Sequence, residues 1–451
     1  MFINKIKSEG LSHLSYLVGN DGHAFVVDPR RDCEIYVEEA VKAGCRITHI
    51  FETHRNEDLI SGAPVLAKLT GARVLHGPNA AGNVAYADTT HEGDTFEFGN
   101  LRVEVLETPG HTDDSLSFAV FDTDFGDDAV GVFTGDAMFI GDVGRTDFYP
   151  DRAEEVAGLL YDSLRKILAL GDQALLYPAH GAGSVCGDSM ADREFSSLGY
   201  ERKYNDKLRI SSREQFIKAK IAEHHYQPPY FRLMEKLNLT GADPAPRITT
   251  PVPLSPDEFR SLPEKTVIVD TRTVSAFLGS HLPGSLAIPA PMIPAFAGWY
   301  IEPGQPVVLV AADPAQARVA SQHLIRIGVD NLEGFLTTDM PEWSAGGLPF
   351  HSLPVMHVDD IRERFRNPPD DWQILDVRSI KEYRQESIEG SVHAYVGELP
   401  QTLDQLDRNR HYTVMCASGA RATIAASVLE RAGFSRVDVF LGSFGAWKAT
   451  D

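Results

Sequence analysis

Residues 47–58 read ITHIFETHRNED: an apolar run of Ile47, Ile50 and Phe51 that breaks into a polar loop holding His54 and Asp58. That is how a strand reads when its carboxyl end opens into a site-forming loop. The pattern recurs downstream. RVEVLETPGH (102–111) closes on His111, AVGVFTGD (129–136) on Asp136 and ALLYPAH (174–180) on His180. HLSYLVG (13–19) and AFVVDP (24–29) predict further strands, and Asp28 ends the second. EIYVEEAVKAG (34–44) and AEEVAGLLYDSLRKIL (153–168) carry the apolar spacing of helices. One histidine at a strand end is ordinarily structural. Three histidines and two aspartates at successive strand ends bring several deprotonatable donors to one edge of an α/β layer, which is what a metal ion needs.

The chain has 451 residues, 43% apolar and 24% charged, enough for about three globular domains. With 42 Lys and Arg against 64 Asp and Glu its formal charge is −22, which argues against nucleic acid or an anionic membrane as partner. No apolar run approaches the ~18 residues of a membrane span, and the first residues lack the apolar centre of a signal peptide. Cys33, Cys45, Cys186 and Cys416 are too scattered for a disulfide framework and read as thiols, so the expected location is the cytoplasm.

Five prolines within Leu237–Pro256 mark a linker expected neither to continue a helix nor to join a sheet. A weaker break falls at Gly346–Pro354. The expected domains are therefore 1–245, 253–350 and 355–451. The last two are an internal repeat. TVIVDTR (266–272) matches QILDVR (373–378), with Asp270 and Asp376 106 residues apart, and VVLVAA (307–312) matches YTVMC (412–416). Short apolar runs alternating with helical stretches predict parallel α/β units.

The series THRNED, TPGHT, TGDAMF and YPAHG resembles the metallo-β-lactamase superfamily, an αββα sandwich with metals at one edge. The superfamily loop is His-x-His-x-Asp-His; here Asn56 and Leu59 replace its second and third histidines. A hydrolase that activates water between two metals needs both sites, and the second would keep only Asp58, His180 and a share of Asp136. The first keeps His54, His111 and Asp136, the two-histidine, one-carboxylate composition of non-haem Fe(II) oxygenases. Within the superfamily that trio is the one used by persulfide dioxygenases, and GDVGRTDF (141–148) resembles that branch too. The resemblance implies one Fe(II) per chain. It also implies substrate contacts from Arg145 and Tyr177, although Arg145 with Asp147 could equally pin a loop and Tyr177 could be a core tyrosine. Cys186, six residues after His180 in a Gly/Ser-rich stretch, is a candidate for holding sulfane sulfur or a small filler.

Near the carboxyl end, Cys416-Ala417-Ser418-Gly419-Ala420-Arg421 joins an apolar run to a helical one. Backbone N–H groups of such a loop surround an anion and favour a thiolate, with Arg421 adding positive charge. Together with LDVR and the closing GSFGAW this resembles a rhodanese (sulfurtransferase) domain, in which Cys416 carries a persulfide and Ala417, Ser418, Gly419 and Ala420 line its cradle. Four residues between Cys and Arg, where cysteine phosphatases have five, fit persulfide better than phosphate. The first repeat has Ala311–Arg318 in place of the thiol loop and resembles an inactive rhodanese domain with an interface role.

The whole arrangement resembles the CstB-type multidomain persulfide dioxygenases. It implies an α/β protein: a metallo-β-lactamase sandwich followed by two rhodanese-like domains with parallel sheets. The implied partners are a thiol persulfide (glutathione, coenzyme A or similar), O₂, and sulfite or thiosulfate, in a homo-oligomer (dimer or tetramer) serving sulfide detoxification. A sulfurtransferase with a non-catalytic first domain, a glyoxalase-II-like thioester hydrolase and a sulfur sensor switched at Cys416 are the competing readings.

Overall fold

Along β2 (His13–Asn20), Leu14, Tyr16 and Val18 pack into one apolar cluster while Leu17 packs into another; in β3 (His23–Val27), Phe25 and Val27 join the first and Ala24 and Val26 the second. A period of two with both faces apolar means a sheet covered on both sides. The computed structural model, which describes every residue except 79–81, 185, 186, 188, 245–249, 338–343, 348 and 451, shows how. A six-stranded sheet runs β1 (Phe2–Ser8), β2, β3, β4 (Arg46–Phe51), β5 (Arg73–His76), β6 (Asp88–Thr89). A second runs β12 (Ser196–Ser197), β11 (Leu175–Pro178), β10 (Ala129–Gly135), β9 (Leu116–Asp122), β8 (Leu101–Glu107), β7 (Thr95–Phe98).

The cluster shared by the two sheets includes Tyr16, Phe25, Phe51, Phe98, Phe118 and Phe133, so the sandwich interior is aromatic. Helices Glu34–Lys42 and Ala63–Thr70 cover the outer face of the first sheet. Helix Ala153–Leu168 covers the second. It buries Val156, Ala157, Leu160, Leu164, Ile167 and Leu168 along one stripe, with Glu154 and Glu155 in its first turn and Arg165 and Lys166 in its last, each complementing the helix dipole. The result is an αββα sandwich whose loops after β4, β8, β10 and β11 carry His54, His111, Asp136 and His180.

By contact the chain divides into two units, Met1–Pro246 with Arg326–Gly328, and Arg247–Ile325 with Val329–Asp451. The second holds two wholly parallel sheets. One is β14 (Leu286–Ala287), β13 (Val267–Asp270), β15 (Val307–Ala311), β16 (Leu332–Thr337). The other is β17 (Val355–Met356), β21 (Val437–Phe440), β20 (His411–Met415), β18 (Trp372–Asp376), β19 (Val392–His393). The order puts the strand that ends at the Asp of the Asp-Arg pair, β13 or β18, next to the strand that ends at the thiol position in both repeats.

The proline-rich segment departs from expectation at both ends. Helix Phe231–Thr240 runs into it, and Pro256 opens helix Pro256–Arg260, where the missing N–H is not needed. Pro253 also bridges to Phe335 of β16, through Val252 O and Leu254 N rather than through a proline nitrogen. Among the described residues no helix is long and apolar enough to cross a membrane.

Candidate metal centre and thiol loop

His54, His111 and Asp136 converge as a buried group whose ligand atoms lie within 4.8 Å of one another. His54 Nε2 is 3.9 Å and His111 Nε2 3.6 Å from Asp136 Oδ2, and the two imidazole rings meet edge-on at 5.1 Å. Neither Nε2 has a hydrogen-bond partner.

The surroundings fix which nitrogen is bare. His111 Nδ1 lies 3.0 Å from the backbone carbonyl of Arg145; a carbonyl only accepts, so Nδ1 carries the proton and Nε2 keeps its lone pair. His54 Nδ1 is 2.8 Å from Thr53 Oγ1, whose own proton goes to Asp28 Oδ2 at 2.8 Å; the hydroxyl therefore accepts from Nδ1, and Nε2 is again bare. Asp28 also accepts the Thr53 N–H at 2.7 Å, and it does so from a backbone φ of +48°, a region non-glycine residues seldom enter. Burial pushes the Asp28 carboxyl up to about 7, against the pull of those two bonds. Burial lowers His54, whereas for His111 it is outweighed by Glu57 and Asp136, which raise it. Two lone pairs and a buried carboxylate facing one another are a donor set that fits a divalent metal.

Asn56 is buried with Nδ2 3.5 Å from His54 O, and Leu59 is buried as a core residue. His180, the fourth strand-end histidine, has both nitrogens committed to carboxylates: Nδ1 is 2.7 Å from Asp136 Oδ1, and Nε2 is 3.0 Å from Asp58 Oδ2. Burial opposes its charge, but the two aspartates prevail and raise it well above the ordinary histidine range. What a second metal would occupy is thus an Asp–His–Asp chain that also holds Asp136 in place.

Arg145 is fully buried, its guanidinium paired to Asp147 at 2.7 and 2.6 Å, bonded to Tyr226 O at 3.2 Å and stacked over Phe148. Arg145 outweighs burial and holds Asp147 at about 2. Toward the metal residues the 141–148 stretch presents the Arg145 carbonyl and the Phe148 ring, which packs edge-on to His111 at 5.3 Å. The Tyr177 ring stacks on Phe133 at 5.0 Å and lines a cavity of about 260 Å³ that also touches Tyr16, His180 and Met190. Cys186 lies outside the described residues.

Two residues without a sequence signal brace the loop. Asn238, 182 residues beyond Asn56, donates to Asn56 O and Leu59 O at 2.7 and 2.8 Å and accepts the Ser61 N–H at 2.9 Å. Glu57, inside THRNED, turns inward: Oε1 is 3.2 Å from His111 Nε2 and Oε2 3.8 Å from His54 Nε2.

The thiol loop is built at the end of β20. Cys416 is buried, and Sγ accepts the Gly419 N–H at 3.1 Å. Gly419, at φ +112°, makes the turn that starts helix Ala420–Arg431. Ser443, at φ +50°, accepts the Cys416 N–H at 3.1 Å and donates to Phe440 O at 2.7 Å, with Oγ 3.9 Å from the thiol. Arg421 is paired bidentately with Glu382 at 2.7 and 2.8 Å, so its charge is balanced; Glu382 also completes the capping box of helix Ile380–Gln385 with Ser379. Asp376 grips Arg378, whose guanidinium lies 4.0 Å over Phe444.

In the first repeat Asp270 grips Arg272 in the same way, and Ala311 stands where Cys416 does: Val310 pairs with Asp270 as Met415 pairs with Asp376. This repeat packs on the second one, which carries Cys416. His281 Nε2 is 2.8 Å from Glu430, Ser427 Oγ accepts the Ala287 N–H at 3.0 Å, and Tyr300 donates to Val396 O at 2.5 Å.

Comparison with known proteins agrees with this division. The metallo-β-lactamase superfamily model matches residues 9–180, and the rhodanese-like domain model matches 255–346 and 358–450. A metallo-β-lactamase from Staphylococcus aureus superimposes with a TM-score of 0.68 at 30% identity, over 75% of this chain and 99% of that one. The mitochondrial persulfide dioxygenase ETHE1 of Bos taurus is 30% identical over 234 residues, 50% of this chain and 77% of its own. A hydroxyacylglutathione hydrolase of Rhizobium etli is 29% identical over 231 residues, 50% of this chain and 81% of its own. The chain belongs to the metallo-β-lactamase superfamily. More closely, it joins a homologue of the persulfide dioxygenases to two rhodanese-like domains, which makes it an enzyme of sulfur metabolism.

Proposed function

We propose that the protein oxidises a low-molecular-weight thiol persulfide with O₂ and passes sulfane sulfur to the product: R–S–SH + O₂ + H₂O → R–SH + SO₃²⁻ + 2H⁺, then, with Cys416 loaded by a second persulfide (R–S–SH + Cys416–S⁻ → R–SH + Cys416–S–S⁻), Cys416–S–S⁻ + SO₃²⁻ → Cys416–S⁻ + S₂O₃²⁻. O₂ takes the four electrons that the outer sulfur loses in the first step; in the last, the sulfite lone pair displaces the Cys416 thiolate from sulfur. The observation that carries the reading is one mononuclear donor set, His54, His111 and Asp136, beside a second position closed by Leu59 and the His180 ion pairs. Fe(II) bound there supplies the redox chemistry with O₂ that no side chain provides. Thr53, Asp28 and Arg145 O hold the two imidazoles, His180 steadies Asp136, and Tyr177 with the cavity beside it takes the carrier part of the persulfide. At the thiol loop, the Gly419 N–H aimed at Sγ positions Cys416 as the sulfur carrier, while Glu382 and Arg421 keep the loop in shape. Residues 1–245, 253–350 and 355–451 act as dioxygenase, inactive rhodanese-like and sulfurtransferase domains, and the protein serves sulfide detoxification.

The test is O₂ consumption by Fe(II)-loaded protein given glutathione persulfide or coenzyme A persulfide, with sulfite and thiosulfate assayed. Iron-dependent uptake with thiosulfate formed is expected. No uptake from iron-replete protein on either substrate overturns the dioxygenase reading. The hydrolase reading, favoured by the hydroxyacylglutathione hydrolase relatives, predicts thioester cleavage without O₂ instead.

A further inference from the structure

Glu57 occupies the unassigned fourth position of the superfamily loop, yet its side chain is buried at 2% exposure among the metal-binding residues. Its carboxylate faces the same two nitrogen atoms as Asp136: Oε1 is 3.2 Å from His111 Nε2 and Oε2 3.8 Å from His54 Nε2, while the single Oδ2 of Asp136 lies 3.6 and 3.9 Å from them. Donors about 2.1 Å from one ion stand roughly 3.0–3.5 Å apart at octahedral or tetrahedral angles. About His111 Nε2 the spacing is already close to that, 3.2 Å to Glu57 Oε1 and 3.6 Å to Asp136 Oδ2, and Glu57, which lies beside the three-residue group, joins it by a turn of its carboxylate that brings one oxygen toward both imidazoles. The loop conformation that turns Glu57 inward is held from outside, by the three hydrogen bonds of Asn238 to Asn56, Leu59 and Ser61.

We propose that Glu57 is a fourth protein ligand of the metal at His54, His111 and Asp136, an assignment that rests on metal binding there but not on which reaction follows. The centre becomes two imidazoles and two carboxylates. The carboxylates balance the charge of a divalent ion in a buried site, and an octahedral ion keeps two open positions rather than three. A hard second carboxylate also moves the preference toward oxygen-loving ions and away from soft ones. The loop thereby recovers through Glu57 an anionic donor beside the positions that Asn56 and Leu59 vacate.

The experiment titrates chelator-stripped full-length protein with Co(II), reading the visible ligand-field bands and the affinity, for wild type, Glu57→Gln, Glu57→Ala and His111→Ala. Circular dichroism of each stripped variant checks folding. The expected result is one Co(II) per wild-type chain, an affinity at least about tenfold weaker in both Glu57 variants, and bands changed in position or intensity. Glu57→Gln carries the comparison if Glu57→Ala fails to fold. It also separates ligation from packing, since an amide keeps the size and polarity of the side chain but is a poor ligand. Wild-type affinity with superimposable bands in folded Glu57→Gln overturns the proposal and leaves the three-residue site standing. A wild-type chain that takes up no Co(II) removes the metal site itself, and the proposal with it.

Discussion

Thr53→Val isolates the contribution of the shell behind the metal ligands. Valine keeps the shape of threonine and deletes one hydroxyl, which links Asp28 Oδ2 to His54 Nδ1 through two 2.8 Å bonds in a buried site. Without it the Nδ1–H loses its acceptor, and a buried polar group left unsatisfied costs about 1–3 kcal/mol. The cost falls on the tautomer that exposes Nε2, so it falls on metal binding. Loss of an outer partner of a ligating histidine typically weakens binding about 10–100-fold, or about 1.4–2.7 kcal/mol, and the two estimates overlap. Competition of stripped protein against a coloured chelator measures the change directly. Thr53→Ser retains the hydroxyl and should bind close to wild type, which separates the hydrogen bond from packing. If Thr53→Val binds metal as tightly as wild type, the hydroxyl does not set the His54 tautomer and the argument fails.

Cys416→Ser removes the sulfur carrier and leaves the metal residues untouched, so O₂ uptake should stay near wild type while sulfite accumulates in place of thiosulfate; an unchanged thiosulfate yield on chromatography refutes the coupling. Asp136→Ala should lose metal on desalting and lose O₂ uptake, yet keep transfer of sulfur from thiosulfate to cyanide at Cys416. Glu382→Gln breaks the half-buried Arg421 pair and should lower stability by about 1–2 kcal/mol in urea melts. Burial alone would raise the Glu382 carboxyl, but Arg421 and Ser379 hold it at about 2, below its ordinary 4.5. Its stabilising contribution is therefore complete above about pH 4.5 and lost as pH falls toward 2. The variant should accordingly show a smaller loss of stability than wild type across that window, and equal slopes would refute the pairing.

Much of this was legible because strands announce themselves. The period-two runs ending at His54, His111, Asp136 and His180 could be placed at one edge without knowing how the sheets pair. What escaped reading is what depends on side-chain direction or on distant contacts. Glu57 sits among charged loop residues that ordinarily face water, and only the folded loop shows it facing two imidazoles. Asn238 lies in a helix beside the proline-rich segment, with nothing local to connect it to a loop 182 residues earlier. The Ser379–Glu382 capping box is visible in sequence, but its second bond, to Arg421 39 residues on, is not. Arg145 illustrates the converse. The sequence left it between a substrate contact and a loop pin with Asp147; the guanidinium is paired to Asp147, and the group facing the metal residues is a backbone carbonyl, which any residue type could supply.

The two repeats separate what the rhodanese-like fold requires from what the chemistry requires. Both keep the Asp-Arg grip at the end of the central strand, with Arg272 reaching Ser280 O at 2.7 Å and Arg378 reaching Glu386 O at 2.8 Å. Both keep parallel pairing of that strand with the next. They differ where the second strand ends. After Met415 come four residues that carry Cys416 and the left-handed Gly419 before the helix begins at Ala420. After Val310 the helix begins at Pro314, one residue sooner, and Gln316 Oε1 accepts the Ala312 N–H at 2.8 Å. The first loop is therefore shorter by the residue needed to arch over an anion, and a side chain already takes one of the N–H groups that would have held it. Restoring a thiol at Ala311 alone would place sulfur without its cradle. The first repeat thus departs from the second in its backbone as well as in its missing cysteine. What it keeps is a packing surface, His281, Ala287 and Tyr300 against Glu430, Ser427 and Val396 of the second repeat.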